Sequence, residues 1–560
     1  MTIKQGMTNR AIRCGRTAGV LGALLMALHG GQVLAESAAP GNWAEYHSDF
    51  RGWRYSPLEQ ITKTNVKKLK VAWMHQSGDI RHGLHATPLA IDGVLYYSGS
   101  SNRVFALDAA TGAEIWHYYT ELDPIQEKSI FSFFNRGVTV GRGKVFFGTS
   151  DGRMIALDQK TGKELWQAQL TDPKSCHGCN FTSPPQLAGD VLIGGHTGGD
   201  HAQRGRIYAL KADTGERAWA FETIKDDPAS WLGDSGKTGG GGAWLPGQYD
   251  AKNGLFYIGT SNAAPDFDKS ARPGDNLYTA SVLALRPSTG ELVWYHQEVP
   301  NDTWDFDSPY EFLFIEKDGE ELMVHLNKGG HVTVLNRKTG KVVNVWPMSE
   351  NINWVTGVDA KTGALQGRVD PVPGKSMTFC PSVMGGRSWN AGAYSPKRRL
   401  WYTNAMEACN RVTMDTQVIN DLAFSQPYFG VSEFEVTAPP GGKAISRLAA
   451  YDPLTGKLAW KVEYDLPGLG GVLATAGGLV FNGDSRGWVH AYDDQNGKEL
   501  WNFNTGSGIR GGIISYTVGG KQYVLVPSGF GSLVPGFSSI LWPEFKNVRG
   551  GSTLIAFTVE

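Results

Sequence analysis

The stretch Ala106-Leu107-Asp108-Ala109-Ala110-Thr111-Gly112-Ala113-Glu114-Ile115-Trp116 decides the fold, because its pattern returns along the whole chain. Each copy starts at an alanine, has Thr-Gly or Asn-Gly in the middle and ends at a tryptophan. Five further complete copies end at Trp166, Trp219, Trp294, Trp460 and Trp501. A looser copy without the tryptophan runs from Val334 to Gly340. A run of strand formers, a tight turn and a second run are typical of two antiparallel strands. The sequence therefore predicts an all-β protein made of repeats.

The spacing of the repeats predicts how the sheets are arranged. Trp166 follows Trp116 after a step of 50 residues, which is the length of one four-stranded sheet. A sheet of this size cannot bury both faces alone, so we expect the sheets to stack around an axis as a β-propeller. Another strand pattern lies at 393–402. Residues 69–73 resemble half a repeat that the C-terminal stretch 552–558 would complete. Counted in this way there are eight blades, with seven as the alternative.

The N-terminal segment Met1–Ala35 reads as a secretory signal peptide. Its basic residues are Lys4, Arg10, Arg13 and Arg16. An apolar stretch over 18–28 and a small-residue cleavage site at 33–35 follow them, as in exported proteins. The alternative, a membrane anchor, is weaker because the apolar run is too short to span a bilayer. We therefore expect a periplasmic protein whose mature part, residues 36–560, is a single domain.

The charge of the mature chain limits its partners. The whole chain has 53 basic and 54 acidic residues, and Met1–Ala35 holds four of the basic and none of the acidic ones, so the mature net charge is −5. This balance provides no basic stripe for nucleic acid and no cationic face for lipid. The expected partners are small molecules or proteins.

Four cysteines remain in the mature chain: Cys176, Cys179, Cys380 and Cys409. A small even number in an exported protein favours two disulfides. One is Cys380–Cys409, which would close a loop of about 29 residues. Cys176 and Cys179 could form a tight disulfide, a redox pair or half of a metal site. They do not form a c-type haem site, because the residue after Cys179 is Asn180 and not histidine.

Two carboxylates lie two residues apart in the stretch Asn301-Asp302-Thr303-Trp304-Asp305-Phe306-Asp307. An extended backbone would place Asp305 and Asp307 on one face and the two aromatic residues on the other. Like charges side by side raise one another's pKa unless a cation lies between them. The stretch therefore predicts a metal site with a carboxylate base, and the alternative is a polar turn after a strand.

These repeats resemble the tryptophan-docking motifs of the pyrroloquinoline quinone (PQQ) alcohol dehydrogenases, and the likeness extends from about Trp43 to Glu560. The resemblance implies a PQQ ring in the central funnel above a metal ion. The segment 239–244 resembles the floor below PQQ, with Trp244 as the stacking surface. Arg136 and Thr182 resemble contacts to PQQ carboxylates, and Lys328 resembles the lysine that donates to the quinone oxygens.

The resemblance also implies a metal site and a base. Asn262 matches an amide ligand, and Asp200 stands where the family has a glutamate ligand. Asp305 matches the catalytic base, which also binds the metal. Asp307 is typical of the members that use a lanthanide ion, so the expected ion is Ca²⁺ or a lanthanide. Hard oxygen ligands suit both ions.

The chain departs from the family pattern at several positions. Ile130 and Phe131 stand where relatives have adjacent cysteines, so an aromatic lid from Phe131, Phe133 or Phe134, or a role for Cys176–Cys179, is open. His85 replaces a glutamate that contacts PQQ. Leu469 stands where relatives often have an indole. These changes concern the substrate more than the class of reaction.

The sequence thus predicts a periplasmic quinoprotein dehydrogenase that oxidises an alcohol or polyol. No Cys-x-x-Cys-His motif is present, so electrons are expected to pass to a separate acceptor such as a soluble cytochrome c. A homodimer is compatible with the sequence. Two alternatives are a non-catalytic propeller that binds proteins, like the outer-membrane assembly factor, and a sugar or aldehyde dehydrogenase with another site design.

Overall fold

The computed structural model describes residues 41–122, 133–172, 174–176, 178–416, 428–531 and 534–559. The predicted signal peptide Met1–Ala35, together with Ile130, Phe131 and His177, lies outside the described residues. The described helices are short: the α-helix Val534–Ser538 and the 3₁₀ helices Val66–Lys68, Ser235–Thr238, Lys269–Ala271 and Pro543–Asn547. Among these residues, no helix has the length and apolarity needed to cross a membrane.

Strands dominate the described chain and form eight sheets of four or five strands each, which we number in chain order. Sheet 1 consists of Leu89–Ile91, Val94–Gly99, Arg103–Asp108 and Glu114–Tyr119. Sheet 2 consists of Thr139–Gly141, Lys144–Gly148, Arg153–Asp158 and Glu164–Gln169. Sheet 3 consists of Gln186–Ala188, Val191–Gly195, Arg206–Lys211 and Arg217–Glu222. Sheet 4 consists of Gln248–Asp250, Leu255–Gly259, Ser281–Leu285 and Leu292–Gln297.

The second half of the chain repeats this antiparallel order. Sheet 5 consists of Phe312–Lys317, Glu320–Leu326, His331–Asn336 and Val342–Pro347. Sheet 6 consists of Ala393–Ser395, Leu400–Glu407, Ile445–Tyr451 and Leu458–Tyr464. Sheet 7 consists of Leu473–Thr475, Leu479–Gly483, Trp488–Asp493 and Glu499–Asn504, with Tyr55–Ser56 added in parallel. Sheet 8 consists of Ile514–Val518, Lys521–Ser528, Thr553–Thr558 and Lys70–Gln76.

Two smaller sheets are inserted in this order. The pair Gly357–Val358 and Leu365–Gln366 lies between sheets 5 and 6 in the sequence. The other small sheet consists of Ser376–Phe379, Cys409–Met414 and Val431–Thr437, and its last two strands come between the second and third strands of sheet 6.

The hydrophobic pattern explains the order of strands within a large sheet. In sheet 1, Val94–Gly99 and Arg103–Asp108 are almost entirely buried, whereas Glu114–Tyr119 alternates and buries Trp116. Inner strands are therefore covered on both faces, and the last strand meets solvent.

The repeated tryptophan and glycine explain the contact between consecutive sheets. Trp116 of sheet 1 lies against Gly162, which is in the last turn of the next sheet, sheet 2. The Nε1 of Trp116 donates a hydrogen bond of 3.1 Å to the Gln159 carbonyl. The same indole–glycine contact recurs for the pairs Trp166–Gly215, Trp219–Gly290, Trp294–Gly340, Trp346–Gly456 and Trp460–Gly497. A glycine is required there because its φ is positive and because a Cβ would collide with the ring.

The contacts return to the first sheet at the two ends of the chain. Lys70–Gln76 pairs antiparallel with Thr553–Thr558, which confirms the predicted pairing of the N-terminal half-repeat with the C-terminal strand. Trp73 on that N-terminal strand lies against Gly112 of sheet 1, and Trp501 of sheet 7 packs on Phe557 of sheet 8. The fold is therefore all-β and propeller-like.

We expect that the contact between indole and glycine stabilises the fold beyond the turn itself. Gly215→Ala places a Cβ within 2.6 Å of the Trp166 ring at a φ of +74°. Gly254→Ala is the matched control, because its φ is +62° but no atom lies within 4 Å of the added Cβ. In both variants the left-handed backbone lowers the free energy of unfolding by roughly 1–2 kcal/mol. Only Gly215→Ala also overpacks its surroundings, which lowers that free energy by roughly 1–3 kcal/mol more. Thermal unfolding should give a Tm several degrees lower for Gly215→Ala, and equal Tm values would refute the role of the contact.

Candidate active site

A cavity of about 340 Å³ lies at the end of the sheets where the connecting loops gather. In an antiparallel pair, the start of the first strand and the end of the second strand lie at the same edge. Residues just before a first strand and just after a second strand therefore meet at this end. Arg136, Thr182 and Trp244 precede the first strands of sheets 2, 3 and 4, and Lys328 follows the second strand of sheet 5. All four line the cavity.

Three carboxylates form a cluster at this cavity. Oxygen atoms of Asp200, Asp266 and Asp305 lie within 4.8 Å of one another. Asp266 was not identified from the sequence. The amide Nδ2 of Asn262 donates to Asp266 Oδ1 at 2.9 Å, while Asn262 Oδ1 and Asp266 Oδ2 are buried and have no hydrogen-bond partner among the described residues. Unpartnered oxygens beside a group of carboxylates fit a hard cation.

The glycine run 239–242 brings two of these ligand candidates together. Gly241 N donates to the Asn262 carbonyl at 2.9 Å. Gly240 has a φ of +79°, and a Cβ there would lie 2.8 Å from the Gly199 carbonyl and 2.9 Å from the Asn262 carbonyl. Only glycine allows these backbones to approach so closely. The run therefore lies between the segment of Asp200 and that of Asn262, beside Trp244.

Asp305 and Asp307 do share one side of their segment, but for a different reason from the one expected. The backbone is not a strand there, since Asp305 has a φ of +60°. Lys328 Nζ lies 2.8 Å from Asp305 Oδ1 and 2.7 Å from Asp307 Oδ2. The rings of Trp304 and Phe306 are buried with their centroids 5.8 Å apart. The segment is a turn that places both carboxylates on one lysine.

Asp302 shapes this turn. Its Oδ2 accepts the Phe306 N–H at 3.0 Å, and its Oδ1 accepts the Trp304 N–H at 3.3 Å. Asp307 is fixed as well, because its Oδ1 accepts the Asn262 N–H at 3.0 Å. Each oxygen of Asp307 thus has a protein donor, and Asp307 lies next to the three-carboxylate cluster.

Burial and mutual repulsion control the charges at the cluster. Burial, together with repulsion from the Asp307 carboxylate, raises the pKa of Asp200 to about 6. Burial also raises the pKa of Asp266 and of Asp305 well above the ordinary range, with repulsion from Asp200 adding to both. Burial alone would lower the pKa of Lys328, but the carboxylates of Asp305 and Asp307 raise it. A bound cation would oppose these increases and keep the carboxylates ionised.

Flat aromatic rings and a guanidinium form another part of the cavity wall. Arg136 Nη1 lies 2.5 Å from Thr182 Oγ1, and its Cζ lies 4.9 Å from the Trp244 ring and 4.6 Å from the Trp389 ring. Phe134 also lies 4.8 Å from Arg136 Cζ. Planar surfaces beside fixed cationic donors fit a flat aromatic ligand with carboxylates, such as PQQ.

The positions that depart from the family pattern have definite places. His85 stacks on Phe134 with ring centroids 4.4 Å apart, and its Nε2 bonds to the Gly531 carbonyl. Phe133 stacks on His82 at 4.7 Å, away from the cavity-lining residues. Leu469 is buried and does not line the cavity. Phe134 is thus the member of the expected aromatic lid that the structure places at the cavity.

Both predicted disulfides are present. Cys176 is joined to Cys179, and Cys380 is joined to Cys409. The first bridge holds the loop in which the Gly178 carbonyl accepts from Thr197 Oγ1, and Thr197 lines the cavity. In the second bridge, Cys380 lies three residues before Val383, which lines the cavity. Each bridge therefore fixes a segment next to the site.

Sequence reasoning missed several cavity residues. They are Asp266 in the carboxylate cluster and, in the wall, His201, Tyr310, Val383, Met384, Ser388, Trp389, Phe429, Phe434, Arg510 and Val534. Trp389 and Arg510 each precede the first strand of a sheet, sheet 6 or sheet 8, by four residues. Their position before a first strand, like that of Trp244, was therefore a usable signal. Asp266 follows a loop after Asn262 and had no such signal.

Comparison with known proteins shows which family the chain resembles. A family model described as PQQ: Glucose/ethanol/alcohol dehydrogenase, beta-propeller domain, matches residues 43–360 and 449–524. The quinohemoprotein alcohol dehydrogenase ADH IIB of Pseudomonas putida is 35% identical, over 96% of this chain and 81% of that protein. The quinoprotein alcohol dehydrogenase PedH of Pseudomonas putida is 33% identical, over 96% of this chain and 94% of that protein. A solved europium-containing methanol dehydrogenase is 29% identical with a TM-score of 0.85, over 93% of this chain and 98% of that chain.

The buried Asp302 predicts a pH dependence of stability. Burial raises its pKa to about 6 from an ordinary value of 3.8. Between these values the folded state keeps a proton that the unfolded chain has lost, so this contribution is full below pH 3.8 and is lost as the pH rises through 6. Asp302→Asn does not titrate, so the free energy of unfolding of the wild type relative to this variant should fall by roughly 2–3 kcal/mol from pH 4 to pH 7. The difference in Tm between the two proteins should shrink with it.

The control is Asp359→Asn in an exposed turn, where hydrogen bonds from Thr362 lower the pKa of the aspartate. For that pair the advantage of the wild type should grow with pH. Thermal unfolding at pH 4, 5.5 and 7 checks both signs. An advantage over Asp302→Asn that is constant or grows with pH would contradict the raised pKa.

Proposed function

The chain belongs to the PQQ β-propeller family of alcohol dehydrogenases, and from this premise we propose that the cavity oxidises an alcohol or polyol to the carbonyl compound. The protein is an oxidoreductase of the quinoprotein alcohol dehydrogenase type. One observation supports the proposed site most strongly, namely the buried Lys328 whose Nζ contacts Asp305 and Asp307 at the cavity. A non-catalytic binding propeller gives no reason for a buried cation among several carboxylates.

We infer that sheets 1–8 are the eight blades of a propeller with tryptophan docking, and that residues 36–560 form one domain. The support is the series of indole–glycine contacts from each sheet to the next, together with the pairing of Lys70–Gln76 and Thr553–Thr558. The inward loops of such blades would all reach the same cavity.

The residues of this chain have separate roles in the proposed reaction. When bound, PQQ supplies the acceptor for the two electrons of alcohol oxidation, and the cation supplies a Lewis acid. Asp305 accepts the hydroxyl proton of the substrate. Lys328 bonds to Asp305 Oδ1, which leaves Oδ2 for that proton. Trp244 provides a flat surface for PQQ, and Arg136 with Thr182 provides donors for its carboxylates.

The apolar part of the cavity suits the carbon chain of an alcohol. Val383, Met384, Phe429, Phe434 and Val534 line this part. Apolar walls exclude water and favour alkyl or aryl groups. The charged cluster on one side and the apolar wall on the other would direct the hydroxyl of the substrate toward Asp305.

We propose that Asp200, Asn262, Asp305 and also Asp266 hold the cation, which is Ca²⁺ or a lanthanide ion. Asp307, predicted as a further ligand, adds negative charge beside them while it bonds to Lys328. Three clustered carboxylates supply more negative charge than a site with one or two, and this favours the trivalent ion.

The expected setting of the enzyme follows from the sequence. We propose export to the periplasm after removal of Met1–Ala35, with electrons passing to a soluble cytochrome c or another periplasmic acceptor. The proposed assembly is a monomer or a homodimer.

Asp305→Asn tests the function directly. The variant keeps the shape of the side chain but lacks a basic oxygen, so kcat should fall by roughly two to four orders of magnitude. PQQ content should stay at the wild-type level. Oxidation of a series of primary alcohols with a dye acceptor, after loading with PQQ and Ca²⁺ or La³⁺, measures the rate, and absorbance of the released cofactor measures the content. Asp359→Asn is the control. Near-native turnover of Asp305→Asn with full PQQ content would place the base elsewhere.

Asp266→Asn tests the proposed ligand. Removal of one charged oxygen should weaken La³⁺ binding more than Ca²⁺ binding, because the trivalent ion gains more from each carboxylate. Europium luminescence lifetimes in H₂O and D₂O should report about one more coordinated water in the variant. Asp268→Asn is the matched control on the same loop, where the carboxylate caps Ser270 N and lies outside the cluster. An unchanged water count together with unchanged La³⁺ affinity would rule out Asp266 as a ligand.

A further inference from the structure

Arg510 has no role in the reaction proposed above, yet it lines the cavity. It precedes the first strand of sheet 8, and only 3% of the residue is exposed. Its Nε and Nη1 are buried without a hydrogen-bond partner, and its guanidinium makes no ion pair with any residue that the structure describes. Buried charges in folded proteins are normally paired.

A second guanidinium lies next to Arg510. Arg136 Cζ lies 4.6 Å from the Trp389 ring and Arg510 Cζ lies 5.4 Å from the same ring. Arg136 Nε is also buried without a partner. Burial, and for Arg510 the charge of Arg136 as well, lowers the pKa of both side chains to about 9, so both are charged at neutral pH.

No neighbouring side chain neutralises this pair. His85 lies 6.0 Å from the Trp389 ring and adds no negative charge. Among the described residues, Tyr46 raises the pKa of Arg136, but burial keeps the Tyr46 hydroxyl neutral by raising its own pKa. The described carboxylates of the cavity lie instead at Lys328 and in the cluster of Asp200, Asp266 and Asp305. The cavity wall therefore contains the two guanidinium groups in one place and the carboxylates in another.

Two adjacent buried guanidinium groups with free donors are costly unless an anion binds to them. Carboxylates are the anions that fit, because guanidinium N–H groups match carboxylate oxygens in spacing and charge. Trp389 and Phe134 beside the pair would cover a flat ligand.

We propose that Arg510, together with Arg136, forms a carboxylate-binding site of the cavity, and that Arg510 contributes its free Nε and Nη1 donors. This deepens the proposed function and rests on it for the identity of the ligand. The carboxylate comes from the PQQ tricarboxylate or from an alcohol substrate that bears an acid group.

The test uses the full mature chain without metal or cofactor, and it does not depend on turnover. Benzene-1,3,5-tricarboxylate, a flat tricarboxylate without redox chemistry, is the first probe, and isothermal titration calorimetry gives its affinity. Loss of the Arg510 contacts in Arg510→Met should weaken binding by roughly 10- to 100-fold, as expected for hydrogen bonds to charged groups. Arg510→Lys keeps the charge and should retain part of the affinity. Arg486→Gln, at an exposed arginine, is the control.

The stability of the same variants gives a second readout of opposite sign. Arg510→Met removes an unpaired buried charge, so the ligand-free protein should have a higher Tm than the wild type even as it binds the probe more weakly. A merely structural arginine would give the reverse, a lower Tm with unchanged binding of the probe, and that result would overturn the proposal.

Two further titrations separate the sources of the carboxylate. Weaker PQQ binding by Arg510→Met, measured by quenching of tryptophan fluorescence, assigns the site to the cofactor. Unchanged PQQ binding with weaker binding of 4-hydroxybutyrate relative to 1-butanol, in the PQQ-loaded protein, assigns it to the substrate. If neither changes and the tricarboxylate probe binds equally to all variants, the proposal is wrong. If the wild type binds the probe but no PQQ in the presence of Ca²⁺ or La³⁺, the carboxylate site stands and the proposed function fails.

Discussion

Repulsion between buried carboxylates is the constraint on which the site depends. Asp200, Asp266 and Asp305 bring oxygen atoms within 4.8 Å of one another, in surroundings that raise the pKa of each. Lys328 compensates part of this charge through Asp305 and Asp307, but it does not contact all three carboxylates. Such a group holds its charge at neutral pH only with a further cation, and that charge is what a carboxylate base requires.

The fold is what holds these groups against their repulsion. Each ligand candidate lies on a loop between buried strands, and Asn262 and Asp266 share the loop that joins Leu255–Gly259 to Ser281–Leu285. The sheets are joined by indole rings on glycines, and both disulfides fix segments at the cavity. Strain at the site, such as the left-handed Asp305, is thus supported by packing and hydrogen bonds around it, including those of Asp302. The guanidinium groups and the carboxylates of the cavity wall then offer separate contacts to a carboxylate and to a hydroxyl.

Much of the fold could be predicted because it repeats. In each complete copy of the repeat the tryptophan follows the glycine by four residues, and each copy corresponds to one sheet. The pairing of Lys70–Gln76 with Thr553–Thr558 followed from half a repeat at each end. The family resemblance identified five site residues, and the structure brings them to one cavity or its edge: Arg136, Thr182, Trp244, Asn262 and Lys328.

The unpredicted parts depend on contacts between residues far apart in the sequence. Asp266 lies on the irregular connection after Asn262, where the repeats give no signal. Arg510 has a position that the repeats do mark, before a first strand, but the repeats do not show that its guanidinium lacks a partner. Asp305 and Asp307 were expected to share a face through an extended backbone. They share it through a turn in which Asp302 accepts the N–H groups of Trp304 and Phe306. Local patterns report periodicity well, but they do not report which buried charges end up unpaired.

The most direct measurement is anomalous diffraction from crystals of the mature protein loaded with PQQ and Tb³⁺, with data collected at the terbium edge. The account predicts one strong peak among the oxygens of Asp200, Asn262, Asp266 and Asp305, with the cofactor ring against Trp244. A terbium peak elsewhere, or a cofactor ring bound away from Trp244, would contradict it.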